Sequence, residues 1–104
     1  MKTRRKLLTK VGVRKIFVAT FASYGTAITN EGRHTTALLL DVKDHGTIAT
    51  EHVWIKVNEH FSKPGFFKKG DEIVFTARVM MYQKRSGMWD VGLENLTKVK
   101  KREV

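Results

Sequence analysis

Hydrophobic and polar residues alternate with a period of two along most of the chain, and residues typical of turns separate the alternating segments. This pattern predicts β-strands, because successive side chains of a strand point to opposite faces of the sheet. Five strands are predicted, at residues 15–28, 35–43, 47–57, 72–83 and 88–98. The internal Gly25 predicts a bend or a bulge in the first of them.

The segment between the third and fourth strands breaks the alternation. Residues 58–63 are typical of a short helix that has Asn58 as its N-cap and ends before Pro64. Three strands, a short helix and two strands follow the order of the oligonucleotide/oligosaccharide-binding fold (OB-fold), a five-stranded Greek-key barrel. An SH3-like barrel is the alternative, but it has no helix at this place. The open end of the barrel is expected to be closed by Phe61, Phe66 and Phe67.

Alternation also assigns side chains to the two faces of each strand. In the third strand Val53, Ile55 and Val57 are expected in the core. The opposite face then carries Thr50, His52, Trp54 and Lys56. In the fourth strand the alternation that starts at Ile73 is expected to be buried, which turns Arg78 and Tyr82 outward.

Two further face assignments concern the second and fifth strands. Both faces of the second strand are apolar in its middle, and its polar ends favour placing Ala37 and Leu39 outside. The buried set of that strand is then Leu38, Leu40 and Val42. In the fifth strand Trp89 alternates with Val91 and Leu93, so it is expected in the core.

An outward-facing Trp54 beside Lys56 is the combination that binding of single-stranded nucleic acid requires. An aromatic ring stacks on an unpaired base, and nearby cations contact phosphates. In an OB-fold the face of strands two and three, flanked by the loops between strands one and two and between strands four and five, binds oligonucleotides. The residues predicted to bind nucleic acid are Trp54, Lys56, Arg33, Arg78, Tyr82, Lys84, Arg85, His52 and Tyr24.

The surplus positive charge is confined to the two ends of the chain. Residues 1–15 carry seven Lys or Arg and no acid, and residues 98–104 carry four with one acid. The intervening residues carry nine of each sign, so the ends account for the net charge of +10. We therefore divide the chain into a basic N-terminal extension (1–14), an OB-fold domain (15–98) and a basic tail (99–104). The extensions are expected to attract phosphates.

The sequence argues against catalysis and against a bound metal or cofactor. The chain has no cysteine, and its four histidines show no metal-site spacing. The eight glycines are scattered and form no phosphate-binding loop, and no serine lies in a nucleophile motif. No apolar segment reaches the length of a signal peptide or membrane span, so a cytoplasmic protein without membrane partners is expected.

Two segments carry a resemblance to a known group of proteins. The stretch from Lys69 to Tyr82, KGDEIVFTARVMMY, resembles the fourth strand of small OB-fold proteins from mobile elements and phages of Gram-positive bacteria. The segment from His52 to Val57, HVWIKV, is similar to their third strand. The resemblance covers part of the chain and implies an OB-fold that binds single-stranded nucleic acid.

The resulting hypothesis is a non-enzymatic protein that binds single-stranded nucleic acid with little sequence preference, with DNA favoured. One alternative is an RNA-binding or ribosome-associated OB-fold protein, since a single polar contact to a 2′-hydroxyl distinguishes RNA. Another is a protein-interaction or homo-oligomerisation module, in which Trp54 and Leu39 form a contact patch.

Overall fold

The computed structural model describes residues 7, 9–84 and 86–102 and contains five antiparallel strands in one sheet. A single short helix follows the third strand in this part of the chain. The elements are β1 (Arg14–Thr29), β2 (Gly32–Asp44), β3 (Thr47–Lys56), α1 (Glu59–Ser62), β4 (Glu72–Gln83) and β5 (Trp89–Lys101). The all-β class, the five strands and their order along the chain were predicted from the alternation.

The strands lie in the order β3-β2-β1-β4-β5, so the long first strand is central. Its first half pairs with β4, from Arg14 opposite Arg78 to Thr20 opposite Glu72, and its second half pairs with β2. β3 and β5 approach each other, but no hydrogen-bonded ladder joins them in the described residues. The sheet is therefore open by its hydrogen bonds, and the predicted barrel closure is not confirmed.

Two register shifts in the β1–β2 pairing make β1 irregular, the second of them between Phe21 and Ser23. An extra residue at this point reverses the alternation, because it lets two residues oppose one on the partner strand. Phe21 and Tyr24 consequently lie on the same side, with their ring centroids 4.7 Å apart. The predicted irregularity within the first strand is confirmed, but it lies before Gly25, which pairs regularly with Thr36.

The hydrophobic core lies on one side of the sheet and includes residues of every strand. Ala37 and Leu39 are fully buried, so the predicted face assignment is reversed in the middle of β2, whereas Val42 is buried as predicted. The physical reason is that the middle of β2 is apolar on both faces, and the core selects the face that packs against Phe21 and its neighbours. Thr50 is also buried, although the alternation placed it outside, and its hydroxyl donates to the His52 carbonyl at 2.9 Å.

The helix begins as the sequence predicts. The Asn58 Oδ1 accepts a hydrogen bond from the Phe61 N–H at 3.0 Å, which caps the first turn. The Asn58 Nδ2 donates to the Leu96 carbonyl at 3.0 Å and so ties the helix to β5. Phe61 and Phe67 are buried, as expected for rings that close an end of the core, whereas Phe66 is 93% exposed.

The segment before β1 is part of the packed structure. Leu7 is only 1% exposed and belongs to the core, although the sequence placed it in a basic extension. Gly12 donates to the Val79 carbonyl and the Val79 N–H donates to the Val13 carbonyl, which extends the contact with β4. At the other end, β5 continues through the buried Val99 into the residues predicted as a tail.

A buried carboxylate fixes this first segment to the sheet. Asp44, at the end of β2, accepts hydrogen bonds from the ammonium groups of Lys10 and Lys15, each at 2.6 Å. The Nδ1 of His45 lies 2.6 Å from its other oxygen. Burial alone would raise the pKa of Asp44, but these three hydrogen bonds outweigh it and hold the pKa far below its usual value. Two of the basic residues near the N-terminus are therefore engaged within the fold.

Candidate nucleic-acid interface

Trp54 lies on the outer face of β3, as the alternation predicts. Its side chain is 52% exposed, while Val53 and Ile55 on either side of it are buried in the core. Trp54 is paired with Leu38 of β2, whose side chain shares the outer face. The ring is therefore accessible to a ligand while its backbone is fixed in the interior of a ladder.

The Trp54 ring packs over Gly25, two strands away. A Cβ atom at Gly25 would lie only 2.9 Å from Cζ3 and 3.2 Å from Cη2 of the indole. It would also lie 3.0 Å from the Thr36 Oγ1. Contacts below 3.0 Å are closer than carbon atoms approach each other, so only a glycine leaves room for the ring in this position. Gly25 was not predicted as a site residue, because a glycine within a strand was interpreted as the sign of a bend or a bulge.

One cation lies close to Trp54 on the same face. Lys56 follows Trp54 by two residues, is exposed, and pairs with Thr36 of β2. Among the described residues it has no ion-pair partner, so its charge is available to a phosphate. His52, two residues before Trp54, is half-buried on this face and pairs with Leu40.

Beside Trp54 the outer face forms a shallow depression of about 650 Å³. It is mainly apolar, with two carboxylates at its border. Its lining comprises Leu38, Leu40, Asp41, Ile48, Glu51, His52 and Trp54. Lys56 and the carboxylates are thus on different sides of the ring along β3, so a polyanion is favoured at the Lys56 side and repelled at the Glu51 side.

Arg33 does not share this face. It lies in β2, opposite Ile28, and not in the preceding turn where the sequence placed it. The ladder between residues 24–29 and 32–37 is regular, and Thr36 and Gly25 both contact the Trp54 side. Since alternate residues of a strand point to opposite faces, Arg33 belongs to the other side of the sheet.

The outward-facing polar side chains of the β4–β5 hairpin already contact carboxylates. The Tyr82 hydroxyl donates to the Asp90 Oδ2 at 3.3 Å, and the Lys84 Nζ lies 3.2 Å from the same oxygen. The Arg78 Nε lies 4.0 Å from the Glu94 Oε2. These cations are exposed, but each has an anionic neighbour that a phosphate would have to displace or share. Arg85 lies outside the described residues.

Tyr24 has a structural role that the sequence did not indicate. Its hydroxyl accepts a hydrogen bond from the Phe67 N–H at 3.0 Å. Its ring makes edge contacts with Phe61 and Phe66, at centroid distances of 6.5 and 6.1 Å. Tyr24 therefore lies on the core side of β1 and holds the segment after the helix, away from Trp54.

Trp89 is a second exposed ring, and its predicted burial is wrong. It is 62% exposed at the start of β5, opposite Gln83. The alternation with Val91 and Leu93 places it on the core side, but the hairpin extends past the end of the core at this position. Met88 and Met81 are exposed in the same region. The sequence does carry a signal for this exposure, because Trp89 lies only two residues after Gly87 in the turn.

No group of three or more metal-binding side chains occurs among residues 7, 9–84 and 86–102. Within the same residues no helix is long and apolar enough to cross a membrane. No protein-family description, no curated protein and no solved structure matches the chain significantly.

Proposed function

We propose that the protein is a non-enzymatic module that binds single-stranded nucleic acid, DNA in preference to RNA, with little sequence preference. The observation that carries the proposal is the half-exposed Trp54 ring, held over Gly25. Lys56 lies beside it and has no ion-pair partner within residues 7, 9–84 and 86–102. Stacking on an aromatic side chain contributes about 1–3 kcal/mol per base and accepts any base. In a duplex the bases stack on each other, so their faces are not available to the indole.

The proposal includes an OB-fold. It is supported by the order of the elements, by the pairing of β1 with both β2 and β4, and by the approach of β3 to β5. In that architecture oligonucleotides lie across the second and third strands. Trp54, Lys56 and His52 occupy this face.

The cations contribute unequally in this proposal. Lys56 has no carboxylate partner in the described part of the chain, so a phosphate gains its full attraction. Arg78 and Lys84 each lie near a carboxylate, which reduces what a phosphate gains there. Arg33 lies on the other side of the sheet and is therefore not part of this interface.

The test is a titration of a labelled thymidine oligonucleotide at two salt concentrations, with duplex DNA and RNA of equal length as competitors. We expect single strands to compete better than duplex, and affinity to fall steeply with salt because bound phosphates release counterions. Trp54→Ala should weaken single-strand binding roughly 5- to 150-fold, which corresponds to about 1–3 kcal/mol. Its effect on duplex binding should be small.

Trp89→Ala is the matched control, because Trp89 is exposed to a similar extent but belongs to the hairpin end. We expect it to weaken binding less than Trp54→Ala does. The reverse order would move the stacking site to the hairpin, and equal affinity for duplex and single strands would contradict stacking altogether. Preferential competition by RNA would favour the RNA-binding alternative.

A protein-interaction module is the second candidate, and the depression beside Trp54 favours it. Leu38, Leu40 and Ile48 provide an apolar wall, and Asp41 with Glu51 repels phosphates at the same place. Such a surface fits a protein side chain better than a nucleotide. A concentration-dependent dimer that Trp54→Ala abolishes, in a protein without affinity for oligonucleotides, would establish this candidate and exclude the first.

A further inference from the structure

A second basic surface lies on the part of the molecule formed by α1 and β5. It is a groove of about 560 Å³ between the end of the helix and the last residues of the strand. Basic side chains make up most of its border, and no aromatic side chain other than a histidine contributes to it. The residues that line this helix–strand groove are His60, Lys63, Pro64, Lys98, Val99, Lys100 and Lys101.

Two irregularities in β5 explain why its lysines point outward together. Asn95 and Lys98 both have a φ of +52°, and the register with β4 shifts at each of these places. Such bulges add a residue to one strand and so change which side chains face the core. Leu93, Leu96 and Val99 are buried at intervals of three residues, which leaves Lys98, Lys100 and Lys101 on the outside.

The charge of the groove is poorly compensated. Lys63, Lys98 and Lys100 have no ion-pair partner among the described residues. Lys101 lies 3.4 Å from the Asp71 Oδ1, and His60 lies 4.0 Å from Glu59. Asp71 also accepts a hydrogen bond from the Lys68 N–H, which together with Lys101 lowers its pKa. Asp71 therefore stays ionised and offsets one of the four lysines.

We propose that the helix–strand groove is a second nucleic-acid contact, which binds the phosphate backbone independently of the bases. The proposal rests on the proposed function for the class of partner. Lysine ammonium groups act as point charges that attract phosphates without a fixed geometry. Because the groove offers no Trp, Tyr or Phe ring for stacking, it accepts phosphates whether their bases are stacked, paired or absent.

An anionic membrane is the other surface that such lysines attract, and the shape of the groove disfavours it. The lysines border a recess between a helix and a strand, so a flat bilayer contacts fewer of them than a narrow backbone does. The lining has two apolar side chains: Val99 is buried, and Pro64 is exposed but small, so the groove offers little apolar surface for insertion into lipid.

The experiment compares Lys98→Gln/Lys100→Gln with a control pair, Lys43→Gln/Lys69→Gln, which removes the same charge from residues outside the groove. The probes are a thymidine oligonucleotide of about 20 nucleotides, longer than the roughly 4–16 nucleotides one OB-fold covers, and an abasic oligonucleotide of the same length. Binding is measured over a range of salt concentrations. Thermal unfolding of each variant verifies that the fold is retained.

We expect the groove pair to reduce the slope of log K against log salt by about 1.4 on both probes, since each phosphate contact to a single strand contributes about 0.7. The control pair should change it much less. Lys63→Gln, on the helix side of the groove, should reduce the slope by about 0.7 without altering a strand. Equal slopes for the groove and control pairs would overturn the proposal.

Trp54→Ala separates this inference from the proposed function. If stacking occurs, Trp54→Ala weakens binding of the thymidine probe and leaves the abasic probe unaffected. If stacking does not occur, neither probe responds to Trp54→Ala, and the groove pair still reduces the slope on the abasic probe. The same variants are also tested for binding to vesicles that contain phosphatidylserine. If Lys98→Gln/Lys100→Gln abolishes vesicle binding but leaves binding of both oligonucleotides unchanged, the groove binds membranes and the proposal is overturned.

Discussion

At the scale of single residues, the orientation of the Trp54 ring depends on a glycine. The indole packs where a Gly25 side chain would be, and its far edge is the part that contacts the backbone of β1. Glycine in a strand interior weakens the strand by about 0.5–1 kcal/mol relative to alanine. The contact with Trp54 gives this glycine a specific role in the site.

Gly25→Ala should therefore displace the ring. We expect its effect on the free energy of unfolding to be more unfavourable by about 1–2 kcal/mol in the wild-type background than in a Trp54→Ala background. In the latter the indole is absent, and the contact with Thr36 Oγ1 is common to both backgrounds and cancels. Chemical unfolding of the four proteins measures this coupling. A coupling near zero would show that the ring does not depend on Gly25.

Residue-level prediction from the sequence succeeded where one face of a strand is clearly polar. Trp54 and Lys56 were placed correctly because Val53 and Ile55 leave no doubt about the buried face of β3. Ala37 was misplaced because β2 is apolar on both faces, so local pattern does not select the core. The contact of Trp54 with Gly25 spans two strands, and alternation carries no information on contacts between distant strands.

At the scale of elements, strand irregularities decide which side chains meet. The shift after Phe21 brings Tyr24 to the core side, and the two bulges of β5 turn its lysines outward. Neither is marked by a glycine or a proline; Asn95 and Lys98 adopt positive φ as non-glycine residues. Such positions are uncommon for lysine. The sequence therefore predicted where the strands begin and end better than which of their side chains face the core.

The Asp44 cluster is the element-level contact that joins the first segment to the sheet, and it should make stability depend on pH. The pKa of Asp44 is lower in the folded protein than its unfolded value of about 3.9. A lowered folded pKa stabilises the protein above the unfolded pKa, and this contribution is lost as the pH falls below about 4. The free energy of unfolding should therefore decline between roughly pH 5 and pH 2.

Asp44→Asn tests this assignment. At neutral pH it should lower the free energy of unfolding by about 1–3 kcal/mol, because hydrogen bonds between the buried carboxylate and two ammonium groups are weakened. Urea unfolding at several acidic pH values should show a flatter decline for the variant than for the wild type. Glu51→Gln, which removes a carboxylate from an exposed position, is the control. Identical pH profiles for Asp44→Asn and wild type would contradict a stabilising role.

At the scale of the whole molecule, the basic ends are not uniform tails. Lys10 and Lys15 are paired with Asp44, and Arg14 donates hydrogen bonds to the Asn95 carbonyl and to Thr97. Arg102 lies 2.8 Å from Glu72. Several basic residues near the two ends of the chain are thus engaged within the fold. In the proposed function, the positive field that attracts a polyanion comes from the remaining basic residues, including those of the helix–strand groove and the first six residues.

Deleting residues 2–6 isolates the contribution of the basic residues among the first six. The deletion removes Lys2, Arg4, Arg5 and Lys6 but retains Leu7, the buried residue that anchors the segment. We expect the free energy of unfolding to stay unchanged. The salt slope of binding should fall by up to about 2.8 on single-stranded DNA and up to about 3.6 on duplex DNA, since four charges are removed. Deleting residues 2–13 is the contrasting variant: it also removes Leu7 and Lys10, and loss of one buried leucine side chain alone costs about 2–5 kcal/mol. Salt-dependent titrations and chemical unfolding of both variants distinguish charge from packing. A shorter deletion that destabilises the fold, or that weakens only single-strand binding, would contradict a purely electrostatic role for residues 2–6.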